Sequence, residues 1–250
     1  MPACFRRRSE RNMYTFNSRV RYSEIGNDEN LSMFGVINYF QDCSTFQSES
    51  LGLGIDALCE RHRAWLLNSW QIDVLRYPAL GEEIEIGTFP YDFKGFFGLR
   101  NFFIKSCQGE TLIKANSVWV YVNTDTGHPA RVLPEEAVVY GMEPKLDMEY
   151  RDRRMKLPEK LSEFDAMETL PVKRYHIDTN HHVNNSYYPL MAWEYLPEGF
   201  RCGRLQIEYK TAAVFGDHIH PYVLERNGAY WVVLADKEQN HYAVIRAEEK

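Results

Sequence analysis

The octet Asp178-Thr-Asn-His-His-Val-Asn-Asn185 packs an acid, three Asn and two His into eight residues, just ahead of an apolar run. Asp178, Asn180 and His182 alternate along it. In an extended segment, alternate side chains project to one side, so these three can converge. Their types suit acyl transfer to water. An imidazole, with an ordinary pKa of about 6.5, can take or give a proton near neutral pH. Asn180 can donate to a developing oxyanion or orient a water, and one well-placed donor of that kind is worth roughly 3 kcal/mol. Asp178 can hold the imidazole or polarise the water. A helix starting right after the octet would add unpaired backbone N–H groups and the positive end of its dipole. The competing reading of an Asx-rich stretch before a helix is a capping device with structural histidines. His181, pointing the other way, is read as structural.

The elements that must carry this octet come in two similar sets. "QIDVLRYPALGEEI" from Gln71 and "QIEYKTAAVFGDHI" from Gln206 align without a gap, 135 residues apart (206 − 71). Upstream, "VRYSEIGNDEN" from Val20 resembles "KRYHIDTNHHV" from Lys173, at a spacing of 153 (173 − 20). Two matches in the same order indicate a duplicated unit. A spacing of 150 sets Asp28, Asn30 and Ser32 against Asp178, Asn180 and His182, with serine in place of the histidine. Each copy reads as one helix followed by strands. Val36, Phe40, Cys43 and Gln47 fall on one helical face, with Ser32 as the N-cap. In the second copy, "SYYPLMAWEYL" follows Asn185, the expected N-cap, and Pro189 sits in the first turn. "EEIEIGTF", "SVWVYVN", "YWVVLAD" and "YAVIRAE" read as strands. Asn227-Gly228 marks a type I′ hairpin. The charged, aperiodic segment 145–165 reads as a solvated linker.

Four stretches carry a resemblance to a known family, the acyl-acyl carrier protein thioesterases: "DTNHHVNN", "LRYPALGEEIEI", "SVWVYVNTDTGHPARV" and "QIEYK". In order and spacing this chain is similar to a bacterial-type member from Tyr14 to its end. The resemblance implies an α+β chain of two tandem hot-dog domains, each an antiparallel sheet wrapped around a central helix. It divides the chain into a leader (1–13), an acyl-binding domain (14–144), a linker (145–165) and a catalytic domain (166–250). It implies hydrolysis of fatty acyl thioesters on acyl carrier protein, with Asp178, Asn180 and His182 as the catalytic set and no cofactor or metal. Family members usually carry an acid, and plant members a following cysteine, shortly after the strand at Glu208. Here Ala212 and Ala213 stand there. Glu208 or Asp217 could replace the missing acid. An acyl-coenzyme A thioesterase and a non-catalytic acyl-chain binder remain open alternatives.

Composition narrows the field. With a net charge of −6, nucleic-acid binding has no compositional support. An acidic carrier protein must then meet a local basic patch, for which Arg151–Lys156 and Lys173-Arg174 are candidates. The five scattered cysteines include no C-x-x-C pair, which fits a reducing, cytoplasmic setting. No apolar run reaches the length of a membrane span. No G-x-S-x-G, H-E-x-x-H, P-loop or dinucleotide motif occurs, and the alternating pair His218 and His220 is not read as a metal site. Seven aromatics, among them Trp65, Trp70, Phe102 and Trp119, cluster in the first half as core, with a few free to line an acyl channel. The chain is expected to act as a monomer or homodimer.

Overall fold

The computed structural model describes residues 13–250. The Arg-rich start, expected to be a leader, lies outside the described residues save for Met13. The first half runs β1 (Tyr14–Arg19), α1 (Met33–Ser50), α2 (Ile55–Glu60), β2 (Arg63–Val74), β3 (Glu83–Lys94), β4 (Phe97–Ser106), β5 (Thr111–Asn123) and α3 (Pro134–Tyr140). The second runs β6 (Asp165–Ala166), β7 (Leu170–Pro171), α4 (Tyr187–Trp193), β8 (Cys202–Tyr209), β9 (His218–Arg226), β10 (Ala229–Ala235) and β11 (His241–Glu249). The strands form one antiparallel sheet in the order β1-β3-β4-β5-β2-β8-β11-β10-β9-β6, with β7 also on β9. Helix α1 buries Val36, Phe40, Cys43 and Gln47 against it, the face expected from their spacing. Asn227 and Gly228 both take positive φ (54° and 71°) between β9 and β10, as a type I′ turn requires.

The halves join where β2 pairs with β8, and there Gln71 lies directly opposite Gln206. These are equivalent positions of the two copies. A ladder in which equivalent residues face each other has a two-fold axis through that pair, so the halves meet as two subunits of an isologous dimer would. Asp73 and Arg204, opposite one another two residues along, add a bidentate ion pair at 2.6 and 3.1 Å. The two central helices also touch, through Phe34 and Tyr187 (ring centroids 5.5 Å apart).

The turns repeat bond for bond. Val20 N–H donates to Glu82 O, and Val172 N–H to Asp217 O. Ala79 N–H donates to the Glu82 carboxylate at 3.0 Å, and Val214 N–H to the Asp217 carboxylate at 2.9 Å. Asp217 is therefore a turn anchor, held also by Tyr242 Oη at 3.1 Å, rather than a substitute catalytic acid.

Residues 145–165 are not a solvated linker. They run as a strap across the outer face of the sheet, over the seam. Gln71 accepts from Arg151 N–H (2.9 Å) and donates to Glu149 O (2.6 Å). Asn101 accepts from Leu146 N–H and Tyr150 Oη. Further along, Met155, Leu157, Leu161 and Phe164 pack on Trp231 and Val233 in a second small core. Glu208 faces the same outer side, is 6% exposed, and accepts from Met155 N–H (2.9 Å) and Lys210 Nζ (3.1 Å). It holds the strap and cannot replace the missing acid. Arg151 pairs with Glu248 (2.5 Å), while Arg153 bonds Asn68 Oδ1 (2.9 Å) and lies over Phe97. Within the basic run Arg151–Lys156, Arg151 and Arg153 are thus engaged in holding the strap, while Arg154 and Lys156 are exposed.

Replacing Gln71 by Leu leaves the Arg151 amide and Glu149 carbonyl without partners. We expect a loss of about 1–3 kcal/mol in urea unfolding, with faster protease cleavage inside 146–157. Unchanged stability and cleavage would show that the strap is held elsewhere.

Candidate active site

The segment 178–182 is a tight loop, not the extended strand that alternation suggested. An isolated bridge between Ile177 and Val183 closes it, and Asp178 N–H donates to His182 O at 2.9 Å. The Asp178 carboxylate turns inward and accepts from the backbone amides of Asn180 (2.8 Å) and His182 (3.4 Å). It fixes the backbone at both residues and does not touch the His182 ring. That ring is exposed and has no hydrogen-bond partner among the described residues. His181 adopts φ 62°, a left-handed conformation uncommon for a non-glycine.

The first half contains the same loop. Gly26 N–H donates to Asn30 O (2.9 Å), Ile25 bridges Leu31, and Glu29 has φ 60°. The spacing between the loops is therefore 152 (178 − 26), not 150. Gly26, Asp28 and Asn30 stand opposite Asp178, Asn180 and His182, so asparagine, not serine, replaces the histidine. Since Glu29 repeats the positive φ, that conformation belongs to the loop shape and not to His181.

Ser32 corresponds to Asn184, and both are caps. Ser32 Oγ accepts from Gly35 N–H at 3.1 Å. Asn184 Oδ1 accepts from Ser186 N–H (3.0 Å), and its carbonyl from Tyr187 N–H (2.9 Å). The N-cap of α4 is Ser186, one residue beyond the expected Asn185, and Asn184 supplies the capping side chain. Because Asn184 occupies these amides, they are not free to meet an oxyanion.

Three buried residues outside the predicted set hold the loop in place. Tyr188 Oη accepts from Ala213 N–H (2.9 Å), and burial pushes its phenol up to about 12. Tyr209 Oη donates to Asn185 O (2.9 Å). His176 Nδ1 accepts from Lys173 N–H (3.0 Å) and its carbonyl from Asn184 N–H (2.8 Å). In the first half Glu24 makes the matching bond, to Arg21 N–H at 2.9 Å. Val183 N–H donates to Ala213 O (2.8 Å), so the Ala212-Ala213 segment abuts the loop without offering a carboxylate.

Beside the loop is a cavity of about 410 Å³. Its walls come from α1, α2 and the first-half strands, including Leu58, Trp65, Phe93 and Trp119; the second half contributes only Thr179 and Asn180. A smaller cavity of about 260 Å³ lies beneath the strap and includes none of the octet. Of the predicted set, Asn180 reaches the larger cavity wall, Asp178 shapes the loop, and His182 sits two residues beyond the wall.

The fold is a tandem hot-dog, with Thr179 and Asn180 of the second half in the wall of a cavity otherwise built by the first. The acyl-ACP thioesterase N-terminal domain model matches residues 11–140, and the C-terminal domain model matches 159–243. The chain belongs to the acyl-ACP thioesterase family. It is 33% identical over 186 residues to the chloroplastic acyl-[acyl-carrier-protein] hydrolase FATB3 of Cuphea viscosissima, covering 70% of this chain and 44% of that one. It is 29% identical over 194 residues to the chloroplastic oleoyl-acyl carrier protein thioesterase 1 of Arabidopsis thaliana, covering 72% and 53%. The chain spans about half the length of these curated relatives. An acyl-ACP thioesterase from Bacteroides thetaiotaomicron shares the fold with a TM-score of 0.87 at 22% identity, over 96% of this chain and 98% of that one. The 12:0-ACP thioesterase of Umbellularia californica does so with 0.83 at 21%, over 96% and 97%.

The His176 bond gives the loop a pH dependence. Burial, aided by Lys173, holds this imidazole below its ordinary range. The unfolded chain, with a His pKa of about 6.5, then binds the extra proton first, so the contribution is full above that value and lost as pH falls below it. We expect Tm to drop as pH falls below about 6.5, and the drop to shrink in His176→Gln, which keeps an acceptor without titrating. Identical drops in both proteins would assign the effect elsewhere.

Proposed function

We propose that this chain hydrolyses fatty acyl thioesters on acyl carrier protein and releases the free fatty acid. The observation that carries this reading is the placement of Thr179 and Asn180 in the wall of a cavity otherwise built by the first half. Residues 14–144 hold the acyl chain, 166–250 carry the chemistry, and 145–165 tie the two across the seam. His182 takes a proton from the attacking water and returns it to the departing thiol. The water oxygen bonds to the carbonyl carbon, and the carbon–sulfur bond breaks. Asn180 donates to the carbonyl oxygen or orients the water. Asp178 positions both through their amides. With alanines at 212 and 213, water activation falls to His182 alone.

The acidic carrier meets Lys173 and Arg174, both exposed at the base of the loop, with Arg174 lying over Phe215. The fused halves already complete the pairing that separate copies reach by dimerising, so we propose a monomer, or a homodimer formed through another surface. The described cysteines are all free, which fits the proposed cytoplasmic setting. Among the described residues no helix is long and apolar enough to cross a membrane.

The unpartnered His182 ring and the absent carboxylate at Ala212 favour one other reading, an acyl-chain binder without turnover. Release of fatty acid from acyl carrier protein separates the two. We expect His182→Ala to lower kcat by about 10²–10⁴-fold and Asn180→Ala by about 10²-fold. Equal, background-level rates in wild type and His182→Ala would refute hydrolysis. Equal turnover of acyl-coenzyme A and acyl carrier protein would refute carrier selectivity.

A further inference from the structure

The cavity wall holds a cation that an alkyl chain cannot satisfy. Arg100, on β4, is 8% exposed and lines the cavity. Its Nη1 donates to Gln47 Oε1 and to Thr88 Oγ1 (3.2 Å), both neutral. Its guanidinium carbon lies 5.6 Å from the Tyr140 ring centroid. Among the described residues no carboxylate pairs with it, and burial holds the nearby Cys43 thiol well above its ordinary range. Its Nε and Nη2 make no hydrogen bond among the described residues, and the residue lines the cavity. Leaving donors of a charged group against hydrocarbon is costly, and buried charges in proteins are normally paired.

The facing helix adds polar wall to the cavity. Ser44, Thr45 and Ser48 of α1 line the same cavity, where an alkyl slot calls for an apolar stripe. Ser48 Oγ and Tyr140 Oη already share a bond at 3.2 Å. Trp65, Phe93 and Leu58 supply apolar wall on other sides, so the cavity is amphipathic rather than simply polar.

We propose that the cavity takes an acyl chain bearing a hydroxyl or oxo oxygen along its length, with that oxygen accepting from Arg100. This rests on the reading of the cavity as the acyl site, and names which acyl groups it selects. Such an oxygen meets the free donors without bringing a second charge into the interior. An unsubstituted chain leaves them unmet.

Direct binding to the full chain tests this without requiring turnover. Isothermal titration with dodecanoic acid is compared with its monohydroxy isomers, the hydroxyl placed at successive carbons. At least one isomer binds about tenfold or more tightly than dodecanoic acid, the ratio expected of a hydrogen bond to a charged group. Arg100→Met removes that preference. The proposal is overturned if no isomer binds more tightly than the unsubstituted acid, or if Arg100→Met keeps the preference. Should the variant fail to fold, the wild-type comparison decides alone. A chain that hydrolyses unsubstituted acyl carrier protein yet shows no isomer preference keeps its proposed activity and loses this inference. A chain that shows the preference but hydrolyses nothing does the reverse.

Discussion

Everything about this molecule follows from the antiparallel pairing of β2 with β8 about Gln71 and Gln206. That ladder makes one sheet of two units and sets them about a pseudo-two-fold axis. The pairing also places the second half's Asx loop beside the first half's helix. The contact Gln41 Nε2 to Asn184 Oδ1, at 3.4 Å, joins α1 to the second-half loop directly. A slip of one residue in the ladder would turn both inner faces outward, so the hydrophobic pattern of both strands enforces the register. The bidentate Asp73–Arg204 pair and the strap reinforce it from outside.

Within that symmetry the halves have diverged in complementary ways. The loops share backbone bonds and a positive φ at the same place, but only the second carries an imidazole. The helices differ too: α1 has 18 residues and α4 has 7. The longer helix gives the first half a wall for a cavity, and the loop with the histidine is the one that reaches it. On the proposed function, one half supplies volume and the other supplies reactive groups.

Much of this was legible in the sequence because it rests on local pattern. The repeated strand, the buried face of α1 and the Asn227-Gly228 turn all follow from spacing and residue type. What the sequence hid depends on backbone bonds and distant partners. The loop register was off by two because the decisive bonds are amide to carbonyl, and Gly26 gives no side-chain clue that it matches Asp178. The cap fell on Ser186 with Asn184 as its acceptor, since three polar residues in a row offer equal local choices. The strap looked like a solvated linker because its anchors, Gln71, Asn101 and Glu208, lie tens of residues away. Arg100 was invisible as a cavity residue for the same reason: the cavity is assembled from many elements, and no single one announces it.

The central claim is that a loop of one half acts on an acyl group held in the other. A crystal structure with a non-hydrolysable fatty acyl amide analogue of the carrier-bound thioester tests it most directly. The alkyl chain should lie along α1 in the first half, with the carbonyl oxygen about 3 Å from the side chain or backbone of Asn180 or His182. An alkyl chain seated in the second half, or a carbonyl remote from residues 178–182, would contradict it.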